Sequence, residues 1–228
     1  IPGGHRLPDV DKDLARYGIS QTMMYHWLRE LGAQGFKPRR ILDIGAWNGV
    51  WTRTVREIWP DAHYTCIEAG RKHLPRLEQT ADEVHIAVVG DRNRAVKMYL
   101  REIDKGTRKK ITYTKGSTIF GIFPHSEPRQ MQTLQDIVGA EATYDLIKQD
   151  IQGAELLTIA GSPEIFQRAR YIINEVNTEP DPRHSSMPWE TEMDLAMERL
   201  GFDQSRTIEH KQSAGQKDKI YFRSCVSR

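Results

Sequence analysis

From Arg40 onward, short apolar runs alternate with segments of helix length, and that alternation leaves a chain few ways to fold. RILDIGA (40–46), HYTCIEA (63–69) and EVHIAVVG (83–90) are the runs; 49–59 and 71–80 are the helical links. Continuous apolar runs of this length suit strands buried on both faces, and helical links between them make the strands parallel with right-handed crossovers. The regularity then breaks. AVKMYLRE (95–102) and KKITYT (109–114) alternate in period two around Lys105-Gly106, the pattern of an antiparallel hairpin. GSTIFGIFPHSEP (116–128), with its Gly and Pro residues, reads as a long surface loop. Alternation resumes with the strand YDLIKQDI (144–151), a helix over 153–160 and a short helix behind Ser162-Pro163. YIINEVN (171–177) is the next strand, and the helix over 189–200 stops at Gly201. FDQSRTIEH (202–210) and DKIYFRS (218–224) close the chain as an antiparallel pair at the sheet edge. The expected fold is α/β: a single Rossmann-like, doubly wound domain over 36–228, mostly parallel, with an antiparallel C-terminal edge and an inserted hairpin.

Residues 1–35 stand before that domain as an arm and a helix. The arm, to about Asp11, has no periodicity. SQTMMYHWLRELG (20–32) puts Met23, Met24, Trp27, Leu28 and Leu31 on one face, with Ser20 as N-cap and Gly32 as stop. Such a face must pack on something, either the core or, as a helical cover, a binding cleft. A length of 228 residues suits one domain, and 38% hydrophobic with 28% charged residues suits a soluble one, with no run long enough to span a bilayer. The net charge of +2 favours no polyanionic partner, and Arg108-Lys109-Lys110 reads as a solvated hairpin tip. Cys66 in a strand and Cys225 near the end make no disulfide framework, which fits a reducing, cytoplasmic setting without a secretory leader.

The chemistry is concentrated in RRILDIGAWNGVWT (39–52). Asp43, Gly45 and Gly49 sit where the first strand gives way to a helix, at the end of the sheet where ligands of such folds lie. A dinucleotide site asks for G-x-G-x-x-G against a pyrophosphate. Here the pattern is D-x-G-x-x-x-G, with Trp47 where the middle glycine would be and a carboxylate that would repel a diphosphate. Glu68 ends the second strand, placed to accept both hydroxyls of a ribose. A ribose, a positive charge and no phosphate describe S-adenosylmethionine (SAM).

With these residues the sequence resembles the class I SAM-dependent methyltransferases. MQTLQDIVGAEATYDLIKQDIQGAELLTIAG (131–161) followed by YIINEVN narrows the resemblance to the FkbM family, whose pattern is T-L-D, then K-x-D-x-E-G-x-E, then a strand ending in E-V. The resemblance spans roughly 40–180. It implies the seven-stranded methyltransferase fold, SAM as donor, and a hydroxyl of a sugar, glycoside or secondary metabolite as acceptor. By position, Asp43, Gly45, Ala46, Trp47, Asn48 and Gly49 match the SAM loop, Glu68 and Ala69 the ribose side, and Ala87 and Val88 the adenine side. Lys148, Asp150, Gly153 and Glu155 match the second motif, and Glu175 the acidic strand end. The chain departs from the pattern at Gln152 (usually Glu), Gln135 (usually Asp) and Asn177 (often His).

Methyl transfer to oxygen needs the alcohol aligned in line with the sulfonium methyl and made nucleophilic, by a general base or by a divalent metal. Asp150 and Glu175, at neighbouring strand ends, would either hold Mg²⁺ or share a proton, with one of them as base. Lys148 leaves the same strand face as Asp150 and needs a carboxylate partner. His184 is the better loop base and His125 the weaker; no pair of histidines has zinc spacing. Trp189, Phe120 and Phe123 are candidate walls for a sugar ring. Three other readings stay open: a nucleic-acid methyltransferase, although DIQG (150–153) is no N/D-P-P-Y loop; an NAD-linked oxidoreductase, disfavoured by Asp43 and Trp47; and a silent SAM-binding module, suggested by Gln152 and Asn177. The expected partner is a small-molecule or glycan acceptor, not nucleic acid or membrane; oligomeric state, a homodimer included, is undetermined.

Overall fold

The computed structural model describes residues 19–104, 110–120, 125–178, 188–209 and 215–224. Its elements begin with α1 (Ile19–Ala33), β1 (Arg40–Ile44), α2 (Val50–Arg56) and β2 (His63–Glu68). A 3₁₀ turn over Arg71–His73 leads into α3 (Leu74–Leu77) and β3 (Glu83–Ile86), followed by β4 (Val88–Val89), β5 (Arg94–Asp104), β6 (Lys110–Thr118) and β7 (His125–Gln132). Then come α4 (Leu134–Val138), β8 (Leu146–Gln149), α5 (Glu155–Gly161), α6 (Pro163–Gln167) and β9 (Tyr171–Asn177). The last are α7 (Glu190–Arg199), β10 (Gln204–Glu209) and β11 (Gln216–Phe222).

The main sheet has seven strands in the order β10-β11-β9-β8-β1-β2-β3. β1 pairs in parallel with β2 on one side and β8 on the other, and only β11 runs against its neighbours β9 and β10. The chain therefore winds outward from β1 to β3, returns, and winds out the other way from β8. The strand order reverses between β1 and β8, and the carboxyl ends of these strands are where ligands of such sheets bind.

Alternation along the strands fills two apolar layers. Ile41, Leu146, Ile173 and Ile220 face Met24, Trp27, Leu28 and Leu31 of α1 and Trp51 and Val55 of α2. Leu42, Ile44, Ile147 and Val176 face α6 and α7 through Ile165, Phe166, Met193 and Met197. Helix α1 is therefore core packing rather than a lid, and its apolar face is narrower than expected: Met23 is exposed, and the helix runs through Ser20 instead of starting after it.

Two sequence expectations fail here for the same reason, the inserted segment. EVHIAVVG is not one strand. β3 stops at Ile86, the Ala87 N–H donates to the Glu68 carbonyl at 3.0 Å, and Val88–Val89 turns away to pair with Met131 and Gln132 of β7. The stretch read as a surface loop is largely strand: β6 runs to Thr118 and β7 starts at His125, so the hairpin grows into a separate four-stranded sheet, β4-β7-β5-β6. Pro128 hid β7 from a sequence reading. It is tolerated because β5 pairs on one side through Lys97, while β4 reaches only Met131 and Gln132 on the other. Met98, Met131 and Val88 seat this sheet with Ala69 and Ile119 packed against them, beside the end of β2. The helix expected over 71–80 shrinks to the 3₁₀ turn and the four-residue α3. His184, Phe123, Cys225, Lys105-Gly106 and Arg108-Lys109 lie outside the described residues. No helix among those described is long and apolar enough to cross a membrane.

Candidate active site

The site begins where β1 stops. The Gly45 and Ala46 N–H groups both donate to the Ile67 carbonyl, at 2.8 and 3.1 Å, so the chain bends over the end of β2. Gly45 has φ +81, and a Cβ there would lie 2.0 Å from the Asp150 carbonyl oxygen. Glycine is what lets the turn after β1 touch the turn after β8. Trp47 follows with φ +48, a conformation side chains rarely adopt, and its N–H donates to Glu68 Oε2 at 2.8 Å. The Gly70 N–H donates to Glu68 Oε1 at 2.7 Å. Glu68 thus pins the loops on both sides of it, and each oxygen retains lone pairs for a further donor. Burial raises its pKa against these two N–H groups, with Asp43 and Asp150 adding to the rise. The Trp47 ring stands edge-on to His73 at 6.1 Å; burial, with Lys72 and Arg76, lowers the His73 pKa to about 4, so that ring is neutral near pH 7. Ala69, Ala87 and Val88 lie next to Glu68 at the junction of the two sheets.

Asp43 has a different place from the one its motif suggested. It points with Ile41 into the α1–α2 side and is 1% exposed. Thr52 Oγ1 donates to its Oδ2 at 2.7 Å, and Lys148 Nζ lies 3.4 Å from its Oδ1. The carboxylate therefore neutralises a buried lysine beneath the turn; a direct contact with a ligand cation is not what its geometry offers. Lys148 is itself buried, 3.6 Å from Asp150 Oδ2 and 5.6 Å from the Trp51 ring. Burial alone would strip its proton, but Asp43, Asp150 and Asp218 outweigh that and hold its pKa above the ordinary lysine value. Lys148 is thus a counter-ion seated below Asp150.

Asp150 and Glu175 do come together, through a residue that the sequence marked only as a departure. Gln152 Nε2 donates to Asp150 Oδ1 and to Glu175 Oε2, each at 2.9 Å. Glu175 is buried and faces Asp150, Asp218 and Glu155; burial, with those three, pushes its carboxyl well above the ordinary range. The Asp150 side chain, by contrast, is 42% exposed. Gln152 sits at φ +55, and the loop that holds it there is fixed by Glu155, whose two oxygens accept the Ile151 and Gly153 N–H groups at 2.9 Å. Burial raises the Glu155 carboxyl to about 7 against those hydrogen bonds. The acid of the second motif is therefore a staple for the loop that precedes α5. The Mg²⁺ expectation does not fit: an –NH₂ group is only a donor, and it lies between the two carboxyls. Among the described residues no cluster of three or more His, Cys, Asp or Glu is suited to a metal ion.

Asn177, in place of the expected His, ends β9 buried, its N–H donating to the Pro188 carbonyl at 2.9 Å. Trp189 follows, 41% exposed, at the start of α7. Phe120 is half-buried, and His125 pairs with Leu100 in the second sheet. Thr52 and Asp218 were not anticipated. Asp218 reaches the group through the register of β11, opposite Glu175, and no local pattern announces that.

A family profile described as the methyltransferase FkbM domain matches residues 43–203. The chain belongs to the FkbM methyltransferase family. The match takes in the β1 turn, the whole inserted sheet and the Asp150–Glu175 group, and with it the oxidoreductase reading falls. By fold this FkbM-family chain is similar to the magnesium protoporphyrin IX methyltransferase (ChlM) of Synechocystis PCC 6803 solved with bound SAM. That likeness has TM-score 0.52 and 12% identity, covering 97% of this chain and 87% of that one. The same enzyme with bound SAH (S-adenosylhomocysteine) gives 0.51 and 13%, covering 97% and 90%. An O-methyltransferase family protein from Burkholderia thailandensis gives 0.50 and 9%, covering 91% and 57%. At such identities the likeness is one of fold. No curated protein matches the chain by sequence.

Proposed function

We propose that this chain is a SAM-dependent O-methyltransferase whose acceptor is a hydroxyl of a sugar, a glycoside or a secondary metabolite. The donor would lie along the turn after β1, its ribose on Glu68 and its adenine toward Ala69, Ala87 and Val88. The observation that carries the reading is the pairing, through Gln152, of an open Asp150 with a buried Glu175 beside that turn. A silent module would be favoured by both carboxyls being buried, and Asp150 is not.

The chemistry asked of these residues is modest. The acceptor oxygen attacks the methyl carbon as the carbon–sulfur bond breaks, and the sulfur keeps the electron pair as a neutral thioether. As the new C–O bond forms, the hydroxyl becomes cationic and strongly acidic, so a carboxylate of ordinary basicity takes its proton late in the step. Asp150 is that acceptor. Glu175 and Gln152 hold its carboxylate in place, and Lys148 fixes its charge from below. Trp189, exposed beyond β9, offers an apolar face for a sugar ring. Most of the rate comes from alignment, which the two touching turns provide.

Titration calorimetry with SAH tests the donor site: the protein is expected to bind, and Glu68→Ala to lose at least a hundredfold in affinity. Transfer of label from SAM to a panel of glycosides, monitored by mass spectrometry, tests the acceptor, with Asp150→Asn expected to leave SAH binding in place and remove transfer. Absence of SAH binding by the unaltered protein would overturn the proposal.

A further inference from the structure

Two carboxyls facing one another invite a divalent ion, and the geometry here supplies something else. We propose that the Gln152 side-chain amide takes the place of such an ion between Asp150 and Glu175, so that in this chain the two carboxyls are joined by hydrogen bonds and the site excludes Mg²⁺ and Mn²⁺. Gln152 is then a positioning residue: it acts on the acceptor through the carboxyls it holds. The inference rests on the reading of Asp150 and Glu175 as the acceptor-side carboxyls, but its test needs no turnover.

Three observations carry it. The same nitrogen, Gln152 Nε2, lies 2.9 Å from an oxygen of each carboxyl, and its hydrogens point where a cation would need lone pairs. The backbone of Gln152 is held at φ +55, a left-handed conformation that a residue with a Cβ rarely adopts. The loop pays for that strain with Glu155 on the N–H groups at both sides, so the amide is aimed and not merely adjacent. Lastly, the charge around the pair already has its cation. Facing Glu175 are Asp150 from the loop after β8, Asp218 from β11 and Glu155 from α5, while Lys148 of β8 lies between Asp43 and Asp150. A divalent ion would have to break both amide hydrogen bonds and compete with Lys148 for Asp150.

The test uses Mn²⁺ alone as probe on EDTA-stripped protein, read by the loss of the free-ion paramagnetic resonance signal and by calorimetry. The unaltered chain should bind Mn²⁺ at least tenfold more weakly than Gln152→Glu, which swaps the amide for a third carboxylate of the same length; Gln152→Ala should fall between them. Adding Asp150→Asn to Gln152→Glu should remove the gain and so locate the ion. Mn²⁺ binding by the unaltered chain within threefold of Gln152→Glu, and sensitive to Asp150→Asn, overturns the proposal. So does a failure of both Gln152 variants to exceed the unaltered chain. If Gln152→Glu does not fold, the comparison of the unaltered chain with Gln152→Ala decides by the same criterion. SAH titrations on the same samples keep the two readings apart: no SAH binding with the Mn²⁺ order intact would sink the methyl-donor site and leave the amide's role standing.

Discussion

Lys148→Met removes a buried cation from a group of carboxylates, and the structure sets how much that should hurt. Lys148 Nζ is 3.4 Å from Asp43, which is 1% exposed and keeps only the Thr52 hydroxyl among its described partners. Breaking one side of a buried ion pair typically costs about 3–5 kcal/mol, because the remaining charge is stranded away from water. Unfolding entropy is about 2 cal/mol/K per residue, so over 228 residues that loss lowers Tm by about 6–10 °C. What is lost is compensation of a buried charge, so the deficit is read both in acid and at pH 8. The double change Asp43→Asn with Lys148→Met leaves no stranded charge and should recover most of the loss, giving a coupling of at least about 2 kcal/mol. Urea unfolding followed by circular dichroism at pH 4.5 and pH 8 measures all four proteins. If Lys148→Met stays within about 1 kcal/mol of the unaltered chain at pH 8, or the double variant loses the sum of the singles, the pair does not neutralise the sheet as argued.

Gly45→Ala meets both a φ of +81 and a backbone oxygen at 2.0 Å, whereas Gly139→Ala meets only a φ of +91 with nothing within 4 Å. Thermal melts should therefore show Gly139→Ala losing about 1–3 kcal/mol from strain alone, and Gly45→Ala losing clearly more together with SAH binding; equal losses would mean the two turns do not need to touch. Glu155 is raised from an ordinary 4.5 to about 7, and Glu175 is raised as well, so the folded state holds protons the unfolded chain would release. The stability that Glu155 gives in this way is fully present below the ordinary carboxyl range and is lost as pH rises through about 7. Glu155→Gln should flatten the fall of stability between pH 5 and 7 by up to about one proton, roughly 1.4 kcal/mol per pH unit; parallel curves for the two proteins would contradict the assignment.

Much of the candidate site was legible because its parts are local. Gly45 and Glu68 end strands whose apolar runs announce them, and Asp150, Gly153 and Glu155 fall within six residues of one another. Their roles were less legible than their positions. Asp43 looked like a ligand contact because it precedes a glycine turn, but strand alternation points it with Ile41 into the core, where the nearest unbalanced charge is Lys148 from a neighbouring strand. Gln152 looked like a lost acid, and it proves to be the link between two carboxyls from different strands.

By itself, the sequence determined the order of the main-sheet strands, the antiparallel close of that sheet, and which residues stand at the ends of β1, β2, β8 and β9. These follow from periodicity and from glycines, which act over a few bonds. What only the tertiary structure decided is which charges share a space. The register of β1 against β8 sets Lys148 beside Asp43, and that of β11 against β9 brings Asp218 opposite Glu175. β4 leaves the main sheet because a strand forty residues later offers it a partner. Pairings across such distances are chosen by burial and by the competition of carboxylates for one lysine, and no window of sequence contains both sides of that competition.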